Sequence, residues 1–162
     1  METNKRNLLK YGINPSKGRK YENTAYVLAL IYNILQERVE EYLKPFGLSP
    51  AQFNMLMLTS YQNQGKGISQ VEMAKHLIVS ASNITKLVEK SFRSGLISRK
   101  INPLSRRENI ICITPKGQKL INTVWNDYDK LVRTLTEKIP SKDRTKTETT
   151  LNNWLISLQK EK

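Results

Sequence analysis

Apolar residues recur at three- and four-residue steps from Tyr21 to Lys44, at Val27, Leu28, Ile31, Ile34, Leu35, Val39 and Tyr42. That spacing predicts one long amphipathic helix, which Pro45 and Gly47 end. A helix of this length needs a partner surface along its apolar stripe. Ser49-Pro50-Ala51-Gln52 then starts a second helix. Ser49 is the cap, Pro50 fits the first helical position, and Gln52 is placed to complete a capping box. Phe53, Leu56 and Met57 form its inner stripe. Gly65-Lys66-Gly67 is a turn without the spacing of a phosphate-binding loop. Ser69 caps a third, short helix ending near Leu77, with Glu72 three residues on and Ile68 and Met73 as a hydrophobic staple. Ser80 caps a fourth, whose inner face is Ile84, Leu87 and Val88 and which Gly95 stops.

The period changes after Gly95. Leu96 to Ile101 reads as a strand, residues 102–108 as a turn with a basic tip, and Asn109 to Ile113 as the returning strand. Thr114-Pro115-Lys116-Gly117 opens another capped helix, striped by Leu120, Ile121, Val124, Tyr128, Leu131, Val132 and Leu135, with Trp125 beside it. Pro140-Ser141 breaks it, and a last helix carries Leu151, Trp154, Leu155 and Leu158. The predicted fold class is mainly α (α+β), a winged helix-turn-helix with a two-stranded β-hairpin wing and flanking N- and C-terminal helices. A short helix, a tight turn, a second helix and a hairpin is a DNA-binding arrangement.

Charge strengthens that reading. The 162 residues hold 27 Lys+Arg against 14 Asp+Glu, a net +13. Such a surplus attracts polyanions, nucleic acid first and an anionic membrane surface second. Nine Lys/Arg and three Glu fall between Ser49 and Ile113, so the excess is not confined to the tails. Residues 1–20 carry Lys5, Arg6, Lys10, Lys17, Arg19 and Lys20 and read as a basic arm or a solvated terminus. No apolar run is long enough for a membrane span, and no secretory h-region opens the chain. The single cysteine, Cys112, allows no disulfide within the chain. A cytoplasmic location is expected.

Between Ser80 and Lys90 the outward set is Ala81, Ser82, Asn83, Thr85, Lys86, Glu89 and Lys90. Asn can bond adenine through two hydrogen bonds, Lys can reach guanine or phosphate, and Thr and Ala can touch a thymine methyl. Small residues near the helix start permit close approach to a major groove, and the free amides there favour a phosphate. The expected DNA contacts are Ser80, Ser82, Asn83, Thr85, Lys86 and Lys90, with Arg106 and Arg107 at the hairpin tip suited to a narrow, negative minor groove.

In order and spacing these pieces resemble the MarR family of bacterial winged-helix regulators. The resemblance covers about residues 21–160. It is carried by Leu48-Ser49-Pro50-Ala51-Gln52-Phe53, by residues 69–77, by residues 79–88 running into Gly95-Leu96-Ile97-Ser98-Arg99, by Asn102-Pro103-Leu104-Ser105-Arg106-Arg107, and by Ile113-Thr114-Pro115-Lys116-Gly117. It implies a homodimer on double-stranded DNA with a palindromic operator, repression of transcription, and release on binding a small aromatic or phenolic effector. It also implies a layout of basic arm (1–20), N-terminal dimerisation helix (21–48), winged helix-turn-helix (49–113) and C-terminal dimerisation helices (114–162). Three positions depart from the family. Asn102 and Ser105 replace carboxylates that brace the wing arginine, with Glu108 a substitute. Ser91 replaces a Leu, and Phe92 is expected to supply the missing packing.

Tyr26, Tyr32, Tyr61, Trp125 and Tyr128 could line an effector pocket, or pack the core and dimer interface. Cys112 sits in an Ile-rich strand, which suits burial better than redox sensing. One His and one Cys make a zinc site at His76 a poor fit, so no metal or cofactor is expected. No nucleophile–base pair or cofactor loop points to an enzyme. The alternatives are a winged-helix protein-interaction module and a non-specific architectural DNA binder.

Overall fold

In the computed structural model, residues 9–12, 20–62, 67–77, 81–102 and 105–160 are described, with the backbone alone at 20, 21, 81 and 105–108. Ser80, the turn at 65–66 and most of the basic arm lie outside the described residues.

The start signals at Ser49, Ser69 and Thr114 each begin a helix. Helix α1 spans Lys20–Leu43 and passes into a 3-10 turn at Lys44–Phe46. Helix α2 spans Pro50–Tyr61, with the Ser49 hydroxyl accepting from the Gln52 amide at 3.2 Å. Helix α3, Gln70–His76, is capped by Ser69 accepting from the Glu72 amide. Helix α4 spans Ala81–Arg93, α5 Pro115–Thr136 and α6 Ser141–Lys160. Each cap satisfies one amide that the first helical turn leaves open. Neither expected capping box closes through its second side chain. Gln52 turns inward to Ser91, and Glu72 turns to Lys75 and His76.

The wing is strands β2 (Ile97–Asn102) and β3 (Ser105–Ile113). A third strand, β1 (Ile68–Ser69), was not legible in the pattern. It pairs with β3 through Ile68↔Ile111, giving an antiparallel sheet in the order β1-β3-β2. Gly67 makes this approach feasible. Its φ is +97°, and a Cβ there would lie 2.5 Å from Ile110 Cγ2 and 2.6 Å from Cys112 Sγ. Cys112 is buried in β3, as its neighbours suggest.

The wing's end differs in detail from the expected turn. Pairing jumps from Asn102↔Ser105 to Ile101↔Asn109, so residues 106–108 face no residue of β2. Arg106 and Arg107 thus lie on β3, in an irregular stretch beside the turn rather than at its apex. Their side chains, and that of Glu108, lie outside the described residues.

The core joins Leu43, Phe53, Leu56, Met73, Ile84, Val88, Ile97, Ile111, Ile121 and Val124 from α1 through α5. Tyr42 seals the α1–α5 junction by donating its hydroxyl to the Val124 carbonyl at 2.6 Å. Burial pushes the Tyr42 phenol pKa up, the nearby Asp127 adding to the effect. Helix α6 buries no residue and leaves Leu151, Leu155, Ile156 and Leu158 exposed. Helix α1 exposes Tyr26, Leu28, Ile31, Tyr32, Ile34 and Leu35. No described helix is long and apolar enough to cross a membrane.

Candidate nucleic-acid interface

Helix α4 divides cleanly between its two faces. Ile84 and Val88 are buried, while Ser82, Asn83, Thr85, Lys86 and Lys90 are exposed. The 3.6-residue period produces this separation, because positions 84, 88 and 91 stack along one side of the helix. Five of the six expected contacts on this helix are therefore on one outward surface, and the sixth, Ser80, precedes it undescribed. Thr85, Lys86, Glu89, Lys90, Arg93 and Ser94 line one shallow concavity there. Arg93 was missed by sequence reading because it lies beyond the polar run, yet it continues the Lys86–Lys90 row by a further turn. Lys90 also borders a cleft lined by Glu37, Glu40, Glu41 and Lys44.

The end of α4 is held by a set of directional bonds. Gly95, at φ +70°, donates to the Phe92 carbonyl, and Leu96 donates to the Ser91 carbonyl, each at 2.9 Å. This is a Schellman motif, which satisfies carbonyls left open at the helix end. The next carbonyls are taken by the start of α5. Lys116 Nζ donates to the Ser94 carbonyl at 2.8 Å, the Thr114 hydroxyl to the Gly95 carbonyl at 2.7 Å, and the Thr114 amide to the Leu96 carbonyl at 3.1 Å. The Lys116 ammonium also suits the negative end of the α4 dipole. Thr114 accepts in turn from the Gly117 amide, so one residue caps α5 and clamps α4.

A second tie joins α4 to the wing. Glu89 accepts from Arg93 at 2.8 Å and from Arg99 of β2 at 2.7 Å. Arg99, and then Arg93, hold the Glu89 carboxyl pKa below its ordinary value. The Arg99 guanidinium lies 4.6 Å from the centre of the Phe92 ring. Phe92 therefore corrects the sequence expectation. It is 43% exposed and packs under Arg99 instead of filling the core at Ser91. The position facing the core is Ser91 itself, fully buried and bonded by Gln52.

The five aromatic residues considered for an effector pocket are not brought together. Trp125 and Tyr128 are neighbours, with ring centroids 5.7 Å apart, and Tyr128 also meets Phe53 at 4.8 Å and Tyr42 at 6.1 Å. This cluster sits where α1, α2 and α5 meet, and burial pushes the Tyr128 phenol pKa up. Tyr26, Tyr32 and Tyr61 are exposed on α1 and α2. His76 pairs with Glu72 on the surface of α3. No group of three metal-ligating side chains occurs among the described residues.

No family model matches the chain. The chain is 27% identical over 116 residues to the HTH-type transcriptional regulator MhqR of Bacillus subtilis, covering 69% of this chain and 78% of that protein. Its fold is similar to that of a MarR-like transcription regulator from Bacillus cereus, with a TM-score of 0.77 and 18% identity, over 87% of this chain and 99% of the other. It is also similar to a mutant MarR from E. coli complexed with operator DNA, with a TM-score of 0.76 and 20% identity, over 86% and 99% of the two chains.

Proposed function

We infer that the chain is a winged helix-turn-helix transcriptional regulator of the MarR type that represses transcription as a homodimer on a palindromic operator and is released by a small aromatic or phenolic effector. The single observation that carries this reading is the outward face of α4, where Ser82, Asn83, Thr85, Lys86 and Lys90 are exposed opposite a buried apolar stripe. A helix of this design enters a major groove with its polar side chains against base edges and its basic ones against phosphates. Arg106 and Arg107, on the irregular part of β3, supply the minor-groove contact. Ser80, which precedes Ala81 in the sequence, adds a further contact.

Dimerisation follows from the apolar faces of α1 and α6. Among the described residues, six large apolar side chains on α1 and four on α6 are exposed in the single chain. Patches of this kind mark association surfaces. A two-fold axis then presents two copies of α4 to two half-sites. For the effector, the half-buried Tyr128 and the adjoining Trp125 offer aromatic surface at the junction of α1, α2 and α5, and Tyr26, Tyr32 and Tyr61 complete the pocket only if the partner subunit or a rearrangement brings them closer.

Selection of bound duplexes from fragments of the parent genome, with and without added phenols, tests the reading. One enriched motif with two-fold symmetry, depleted by some phenol, is the expected outcome. Retention of random duplexes with no enrichment would instead favour a non-specific architectural role, and no retention a protein-interaction module.

A further inference from the structure

Three polar side chains are buried among the described residues: Thr59, which donates to the Met55 carbonyl of its own helix, and the pair Gln52 and Ser91, which bond each other between two helices. Gln52 and Ser91 are 1% and 0% exposed, and Gln52 Nε2 donates to Ser91 Oγ at 3.1 Å. Gln52 Oε1 has no hydrogen-bond partner among the described residues. Burying an amide with one unmet acceptor is costly, and replacing both partners by apolar side chains of matching volume is in general nearly neutral or stabilising. The neighbouring apolar contacts at Ile84 and Val88 are non-directional, so they tolerate small rotations of α4 about its axis. The hydrogen bond does not, because its strength depends on angle as well as distance.

Ser91 is also the residue whose carbonyl receives the Leu96 amide in the Schellman motif. Its hydroxyl is thus tied to α2 while its carbonyl is tied to the turn that starts β2. We propose that Gln52 and Ser91 are positioning residues that set the rotation of α4, and hence which edge of the helix meets the bases, at a cost in stability. The proposal rests on the DNA-reading role of α4. It makes an unusual forecast, namely that stability and base discrimination move in opposite directions when the pair is made apolar.

The test compares Ser91→Ala and the double variant Gln52→Met/Ser91→Ala with the wild-type protein. Three quantities are measured: thermal midpoint, amide exchange of residues 91–96 in the free protein, and the affinity ratio between the duplex that the wild type enriches from a randomised library and a scrambled duplex of equal length. Ser91→Ala leaves the Gln52 amide wholly unpaired and lowers the midpoint. The double variant recovers the midpoint to the wild-type value or above, yet exchanges faster at 91–96 and loses at least about threefold in the affinity ratio, the low end of couplings between contacting residues. A double variant that keeps both the exchange rates and the ratio overturns the proposal. If the wild type enriches no duplex, the DNA reading fails, and the exchange measurement alone still decides whether the pair holds α4.

Discussion

Glu89 of the α4 helix accepts a hydrogen bond from Arg99 of the wing at 2.7 Å, ten residues along the chain and across the gap between helix and sheet. Arg93 shares the same carboxylate. One acid thus holds two guanidinium groups beside the face proposed to meet DNA. Arg99 and Arg93 lower the Glu89 pKa. A carboxyl lowered on folding stabilises the native state above its unfolded value of about 4.3, and that contribution is lost as pH falls through the folded value. The stability difference between wild type and Glu89→Gln should therefore be constant near neutrality, begin to shrink as pH falls below the unfolded value of about 4.3, and vanish once pH lies below the lowered folded value, as read by denaturant titration across pH. Releasing the two arginines should also strengthen binding to a random duplex and steepen its salt dependence, by about one unit for each arginine that reaches a phosphate.

Asn83 and Arg107 should fail in different ways. Asn83→Ala should relax base preference at one position per half-site, costing about 1–3 kcal/mol for the preferred sequence. Arg107→Ala should weaken binding to all sequences and cut the salt slope by about one unit if the guanidinium neutralises a phosphate, less if it reads only groove width. Titrations of matched and mismatched duplexes over a range of salt separate the two. Identical behaviour of both variants on every duplex would remove the contact assignment.

Gly117 offers a case in which local propensity and tertiary packing disagree in sign. Within a helix, Gly→Ala normally gains about 1 kcal/mol. A Cβ at Gly117, however, would collide with the Leu96 carbonyl oxygen and lie 2.9 Å from Ile113 Cδ1. The backbone at the end of α4 cannot yield without loosening the clamp from Thr114. Gly117→Ala should lower stability, by about 1–3 kcal/mol, and a thermal melt gives the sign.

Thr114 serves two helices through one hydroxyl, accepting from Gly117 and donating to Gly95. Thr114→Val keeps the shape and removes both bonds. Loss of the cap costs about 1 kcal/mol and loss of the second bond about as much again. Thr114→Ser should restore most of this in chemical denaturation. A stable Thr114→Val beside a destabilised Thr114→Ser would show that the methyl group, not the hydroxyl, matters.

The proposed dimer predicts that a charge placed in the exposed apolar faces separates the subunits. Ile31 on α1 and Leu155 on α6 are both exposed in the single chain. Ile31→Glu and Leu155→Glu should halve the mass seen by light scattering and leave the helical circular dichroism signal largely intact. An unchanged mass would place the interface elsewhere.

Where the helices begin and end was legible in the sequence, because those signals act over a few residues. Ser49, Ser69 and Thr114 cap as expected, and Gly95 takes the positive φ that stops α4. The outward face of α4 was legible for the same reason, since helical period alone separates Asn83 and Lys86 from Ile84 and Val88. What each polar side chain does inside the molecule was decided only by tertiary structure. Gln52 sits where a capping box would use it, yet it bonds a residue 39 positions away. Phe92 is apolar and adjacent to the gap at Ser91, yet the helix turns it outward beneath Arg99. Ile68 looks like a staple and becomes a strand because β3 arrives beside Gly67. For Gln52 and Ile68 the deciding partner comes from a distant part of the chain, and only the packed core brings it within reach; for Phe92 it lies just beyond the turn into β2, and the path of that turn decides the contact.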